Sequence, residues 1–148
     1  MIERCLTVEQ DGWLALRTAL WPHCDRSEHL GDMSAFCASP GRFAQFVAYD
    51  GSRKAVGLVE AALRSDHVNG TRSSPVAFLE GIYVVPEARL QGIARALVAG
   101  VEQWAASVGC TEFASDARLE NEASHAMHRR LGFTETSRVV YFLKALKA

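Results

Sequence analysis

No stretch of this sequence reaches the roughly 18 consecutive apolar residues that a membrane span needs. The N-terminal MIERCLTVEQDGW holds no apolar signal core, so a soluble, unprocessed chain with no membrane partner is expected. Charge of either sign is not in excess: sixteen Lys and Arg meet seventeen Asp and Glu, for a net charge of -1. That balance leaves no global basic field to hold nucleic acid. Cysteine is sparse, and Cys5, Cys24, Cys37 and Cys110 include no CxxC pair. Their scatter argues against a zinc knuckle or a disulfide framework and predicts no metal and a reduced, cytoplasmic setting. A Walker Lys-Ser/Thr and a GxGxxG fingerprint are both missing, which makes ATP, GTP and NAD poor candidates. What remains is 148 residues of 49% apolar composition, enough for one domain over residues 1–148 and too little for two.

Residues 2–6 form a short strand candidate. Thr7 and Gln10 have the spacing of a capping box for a helix running to about Leu20, with Trp13, Leu16 and Leu20 on one face. Trp21-Pro22 stops it. Leu30, Met33 and Phe36 mark a second short helix before Ser39-Pro-Gly41. Residues 43–49 and 55–63 read as a hairpin turned at Asp50-Gly51, and a polar loop, RSDHVNGTRSS, separates it from a third run at 76–85. Leu90, Ile93, Leu97, Val101, Trp104 and Val108 lie on one face of a long amphipathic helix closed by Gly109. A strand at 111–115, a helix at 121–131 capped by Gly132, and strands at 133–136 and 138–146 complete the order βααβββαβαββ. That order predicts an α/β (α+β) fold, a mixed sheet with helices on both faces.

Arg89-Leu-Gln-Gly-Ile-Ala-Arg95 enters the long helix from a strand. The first backbone N–H groups of a helix lack partners, and its dipole makes that end electropositive, so a phosphate can sit there. Gly92 and Ala94 would let a pyrophosphate reach the amides of Gln91, Gly92, Ile93 and Ala94, with Arg89 or Arg95 as countercharge. Taken alone, RxxGxA is equally what close helix packing needs. The segment VVPEARLQGIARALV nevertheless resembles the acetyl-CoA pyrophosphate loop of the GNAT superfamily of N-acyltransferases. The later Asn121-Glu-Ala-Ser-His-Ala-Met-His128-Arg-Arg-Leu-Gly132-Phe133 is similar to that superfamily's second motif. This resemblance covers the whole chain and implies a GNAT-like, mostly antiparallel sheet. It also implies that Ile82, Val84 and residues 89–95 contact acetyl-CoA and that Asn121 lies near the cofactor. Where many members carry a Tyr that protonates the leaving thiolate, this chain has His128, which is either that acid or a packed histidine.

Such a reaction needs a neutral amine. An alkyl amine of pKa ~10 is only about one part in a thousand neutral at pH 7, a deficit of about 4 kcal/mol. A carboxylate within reach attracts the ammonium and takes its proton. Glu80, set in the apolar run VAFLEGIYVV, is the leading candidate. Its neighbours predict a strand position out of water, where a carboxylate becomes a stronger base. The competing reading is a structural Glu paired with an Arg. Asp116 follows a strand end, where ligands gather, or is a loop acid. A backbone N–H at Ile82 or Val84 is the natural oxyanion donor, and the residues do not choose between them.

Leu20-Trp21-Pro22, Val68-Asn69-Gly70, Ser73-Ser74-Pro75-Val76, Phe78-Leu79-Glu80-Gly81-Ile82 and Ala114-Ser115-Asp116 together look like the bacterial aminoglycoside 6'-N-acetyltransferases. That resemblance implies that Trp21, Glu80 and Asp116 line the acceptor pocket. His67 falls where relatives have an aromatic, and His23 follows Pro22 directly where relatives place a His a little later. Ser137 stands where some relatives have Glu. Aminoglycosides carry several ammonium groups, so a stacking surface and dispersed carboxylates suit them; Glu135 and the Asp25/Glu28 pair add to those named. The resemblance further implies a homodimer, with Val139-Val-Tyr-Phe-Leu143 as an exchanged or core strand. The expected activity is direct acetyl transfer from acetyl-CoA to the 6'-amine, conferring resistance. The rival readings are acetylation of another amine, such as a polyamine or a protein N-terminus, and a non-catalytic acyl-CoA sensor.

Overall fold

The computed structural model describes residues 1–147. Its elements run β1 (Ile2–Arg4), α1 (Trp13–Leu20), α2 (Arg26–Ala38), β2 (Phe43–Tyr49), β3 (Ala55–Arg64), β4 (Val76–Val84), a 3-10 turn (Pro86–Ala88), α3 (Ile93–Ser107), β5 (Phe113–Ala114) and α4 (Glu122–Arg130). One five-stranded sheet is ordered β1-β2-β3-β4-β5. Its first four strands are antiparallel, and β5 joins β4 in parallel.

Period-two side-chain alternation sends the two faces of the sheet to different helices. Ala44, Ala48, Val59 and Ala61 meet Leu97, Val101 and Trp104 of α3 on one side. Val47, Tyr49 and Leu58 meet Trp13 and Leu16 of α1 and Met33 of α2 on the other. Helices therefore cover both faces, as the element order predicts. Full burial of side chains such as Leu97 and Val101 contributes about 1.5 to 3 kcal/mol apiece before entropy is counted.

Two expectations need correction. Helix α1 starts at Trp13 behind a left-handed Gly12 (φ 80°), not behind Thr7. The Gln10 side chain, which a capping box would turn back to Thr7, instead donates to Glu3 and to the Tyr49 hydroxyl at 3.0 and 2.9 Å. The strands expected at 133–136 and 138–146 are absent among the described residues. Phe133 docks edge-on to Phe113 with ring centroids 5.2 Å apart, and Thr136 rests on Gly70 of the long loop. Beyond it Tyr141, Phe142 and Leu143 are 83%, 92% and 97% exposed. A strand exists only by pairing, and among the described residues the run finds no partner edge.

Candidate active site

Strand β4 carries one residue too many for its partner. Glu60 of β3 pairs with Gly81 and Ala61 pairs with Leu79, so Glu80 has no partner and forms a bulge. Before it, Ala77 and Leu79 face α3; after it, Ile82 and Val84 do. The bulge leaves the consecutive residues Glu80 and Gly81 both on the α1 side. A Cβ on Gly81 would lie 2.6 Å from Trp21 Cζ2, so the indole at the end of α1 rests directly on that glycine.

Glu80 and Trp21 share a cavity of about 430 Å³ with Arg17, Gln45 and Glu60, and Asp32 also borders it. Glu80 is not sheltered, which corrects the expectation of a desolvated base. Its side chain is 36% exposed, and Arg64 grips it with Nε at 3.1 Å and Nη2 at 2.9 and 3.0 Å from the carboxylate oxygens. Arg64 in turn lies 3.6 Å above the Phe78 ring. The paired reading of Glu80 is thus the observed resting arrangement.

The buried acid of this site is Glu60, 2% exposed, which the sequence reading passed over. Trp13 Nε1 donates to it at 2.8 Å and Arg17 Nη1 forms a short ion pair with it. Burial pushes the Glu60 carboxyl up from its ordinary value, against the lowering by Arg17 and Trp13. Arg17, itself 3% exposed, also donates from Nε to His29 Nδ1 at 3.2 Å and from Nη2 to Asp32 at 2.9 Å. Its guanidinium sits 4.9 Å from the Trp21 ring centroid.

At the other end, β5 pairs with β4 only at Ala77 and Phe78. From residue 79 onward β4 has a free edge on that side, running past Ile82 and Val84 towards α3. Gly92 caps α3 in the left-handed region (φ 81°), and no atom lies within 4 Å of where a Cβ would stand. This opens the amides of Gly92, Ile93, Ala94 and Arg95 outward, since no earlier turn takes them up. The helix begins at Ile93 rather than at Leu90. Arg89 is tied back by Nε to the Val84 carbonyl at 2.8 Å, Arg95 donates to the Arg130 carbonyl at 3.2 Å, and the Gln91 amide reaches the Glu87 carbonyl at 3.5 Å.

Other candidates are dispersed. Asp116 is exposed just past β5, and His23 and His67 are exposed in loops outside the cavity. The loop bearing His67 is pinned where the Arg72 N–H donates to Glu112 at 2.8 Å, which with the Ser73 hydroxyl holds the Glu112 carboxyl below its usual value. Asn121 is the N-cap of α4, its Oδ1 accepting from Ser124 N at 3.1 Å. Asp25 caps α2 through the Glu28 N–H, and Glu135 is engaged by Arg138. His128 lies 2.7 Å from both the Ser124 carbonyl and the Ser115 hydroxyl. Its Nδ1 therefore donates to the carbonyl, and its Nε2 accepts from Ser115. No group of three His, Cys, Asp or Glu side chains among the described residues is placed to hold a metal ion.

A splayed strand pair, a bulged central strand and an open helix N-terminus are the frame of an acyl-CoA-dependent acetyltransferase. The profile of the Acetyltransferase (GNAT) family matches residues 10–133, and the chain belongs to that family. It is 54% identical, over 132 residues and 89% of each chain, to an aminoglycoside N(6')-acetyltransferase type 1 of Acinetobacter baumannii. The crystal structure of 6'-N-acetyltransferase AAC(6')-Ih from Acinetobacter baumannii superposes with a TM-score of 0.92 at 48% identity, covering 99% of both chains. AAC(6')-Iy in complex with the bisubstrate analogue CoA-S-monomethyl-acetylneamine gives 0.92 at 39% identity, covering 99% of this chain and 98% of that one.

Proposed function

We propose that this chain transfers the acetyl group of acetyl-CoA to the 6'-amine of aminoglycosides. The observation that carries this reading is the β4 bulge, which puts a carboxylate on the cavity side beside the free edge that leads to the α3 amides. The pyrophosphate is taken by the amides of Gln91 to Ala94 with Arg89 or Arg95 opposite. The thioester then lies along β4 beside Ile82 and Val84, where a backbone N–H steadies the oxyanion. The incoming ammonium is drawn by Glu80, with Asp116 as a second carboxylate, and loses its proton to Glu80 directly or through water. Attack forms the amide and expels CoA thiolate, which takes the Ser115 hydroxyl proton as His128, in its imidazolium form for this step, replaces that proton from Nε2. Trp21 supplies the stacking face, while His23 and His67 flank the acceptor from their loops. We read transfer as direct: neither Cys24 nor Cys110 has a triad-like neighbourhood, and desolvation holds both thiols above their ordinary value, which disfavours them as acyl carriers.

Incubation with acetyl-CoA and kanamycin or tobramycin is expected to release free thiol and yield a product acetylated at the 6'-nitrogen. Release with spermine or a peptide instead would reassign the acceptor, and tight CoA binding with no release at all would favour a sensor.

We also infer a homodimer in which the apolar run at residues 139–143 adds to a partner's sheet. Its exposure in the single chain supports this reading. Light scattering should give a mass near twice 16.2 kDa for the full chain and a monomer once residues 139–148 are removed. A monomeric full chain would sink the idea. Four unpaired cysteines suit the cytoplasm as its compartment.

A further inference from the structure

Strand β5 leads into a polar pair that has the form of an activated nucleophile. Its pairing with β4 stops at Phe78 and Ala114, so Ser115 stands where the two strands part, at the foot of the free edge of β4. Ligands gather at such openings beyond the carboxyl ends of parallel strands. The Ser115 hydroxyl lies 2.7 Å from His128 Nε2, and Nδ1 of the same ring lies 2.7 Å from the Ser124 carbonyl and 3.3 Å from the Ser124 hydroxyl. A carbonyl only accepts, so Nδ1 carries the proton and Nε2 is left as a base aimed at the Ser115 hydroxyl. A nucleophile, a base and a third group that orients the base are the three parts of a catalytic triad, with a carbonyl here in the orienting place. The imidazole also meets the Phe133 ring edge-on at 5.3 Å, and Phe133 packs with Phe113 into the core on the α3 side. The pair therefore shares a face of the sheet with Ile82 and Val84, opposite the face that carries Glu80. Both side chains are half-buried, ordered yet open to a ligand.

We propose that Ser115 is a nucleophile towards the acetyl thioester, and that with no amine bound the chain hydrolyses acetyl-CoA through an acetyl-Ser115 ester. A thioester lying along the β4 edge is open to an amine from the Glu80 side and to Ser115 from the other. Ser115 Oγ attacks the thioester carbon as its proton passes to His128 Nε2. The C–S bond breaks, and the imidazolium gives that proton to the departing CoA thiolate. Water then attacks the ester carbon and loses a proton to Nε2. The bond to Oγ breaks, the proton returns to Ser115, and acetic acid leaves. N–H groups of the free β4 edge hold the oxyanion in both steps. Amine transfer uses the same pair as an acid and needs an imidazolium; the neutral pair seen at rest is a base. The proposal rests on acetyl-CoA as donor and is independent of the acceptor.

Two reagents test the nucleophile separately. A fluorophosphonate, which esterifies activated serines, should label Ser115 in the free protein, and bound CoA should block the labelling. His128→Asn should slow it about 100-fold, the scale on which a positioned base acts. Acetyl-CoA given alone should release free thiol, and a sample quenched in acid should carry one acetyl group on the peptide that contains Ser115. Ser115→Ala removes one oxygen and is expected to abolish both labels and the amine-independent thiol release, with CoA binding retained in titration calorimetry. A Ser115 that only clips β5 to α4 would give a lower melting temperature in Ser115→Ala and no label from either reagent in a wild type that binds CoA; that result overturns the proposal. Thiol release that persists unchanged in Ser115→Ala would assign the hydrolysis to water alone and overturn it equally. An acetylated Ser115 in a chain that acetylates no aminoglycoside would uphold the nucleophile and refute the proposed acceptor.

Discussion

Replacing Arg17 with Met is expected to lower the melting temperature on the order of 10 °C, the largest stability loss available from a single change near the site. The magnitude comes from stranding a charge: removing one partner of a buried ion pair costs about 3 to 5 kcal/mol, and about 2 to 4 °C accompanies each kcal/mol in a chain of this size. Met keeps much of the apolar stem, so the loss reports the missing guanidinium. Five contacts go with it, to Glu60, His29, Asp32 and the Trp21 and Phe36 rings. The pH dependence identifies the cause. Glu60's folded value is raised by burial, so the native state holds that proton more tightly than the unfolded chain does. Its contribution to stability is complete below the ordinary carboxylate range and is lost as pH rises through the folded value. Without Arg17 the rise grows, so the deficit relative to wild type should be small at a pH below the ordinary carboxylate range and larger at a pH well above it. Equal deficits in thermal melts at both pH values would show that lost packing, not the stranded carboxylate, is responsible.

Glu80→Gln is expected to reduce kcat/KM for an aminoglycoside about 100-fold while leaving the KM for acetyl-CoA alone, the scale on which a positioned base contributes. Gln keeps the shape of the bulge and one acceptor oxygen for Arg64 but can neither take a proton nor attract an ammonium by charge. With the base removed, only amine that is already neutral reacts. The residual rate should therefore rise about tenfold per pH unit up to the pKa of the amine. Wild-type turnover in the variant would remove Glu80 from the chemistry. Its fork with Arg64 adds a condition: that contact must loosen when substrate arrives, and the aminoglycoside's own ammonium is the natural replacement for the guanidinium.

Legibility in the sequence followed the range of the forces involved. Helix α3 was readable because a 3.6-residue apolar stripe and a terminal Gly109 are local signals, and α4 likewise showed its Gly132 end, whereas the capping role of Asn121 emerged only in the structure. The Thr7/Gln10 box misled because a more distant pair, Glu3 and Tyr49, takes the Gln10 side chain. The shelter of Glu80 was misjudged for a different reason. Apolar neighbours imply burial only while alternation holds, and alternation breaks at Glu80 itself. A pattern of Ala77 and Leu79 followed by Ile82 and Val84 was the available sign of that break. Glu60 escaped notice although it interrupts AVGLVEAALR just as Glu80 interrupts its own run; Trp13 and Arg17, one helical turn apart, were the partners that could have exposed it. The unpaired run at 139–143 could not be placed from sequence, since β propensity names no partner edge.

The extra residue in β4 has an effect beyond lifting one carboxylate. It divides the strand into two reading frames, odd-numbered residues facing α3 before it and even-numbered residues facing α3 after it. Everything downstream, from the Pro86 turn to the entry of α3, is built in the second frame. Loss of a single residue there would send Tyr83 towards α3 and Ile82 and Val84 towards α1, exchanging the residues that face the two helices at once. The two faces of β4, which we propose serve acceptor and cofactor, are thus kept distinct by a count of one.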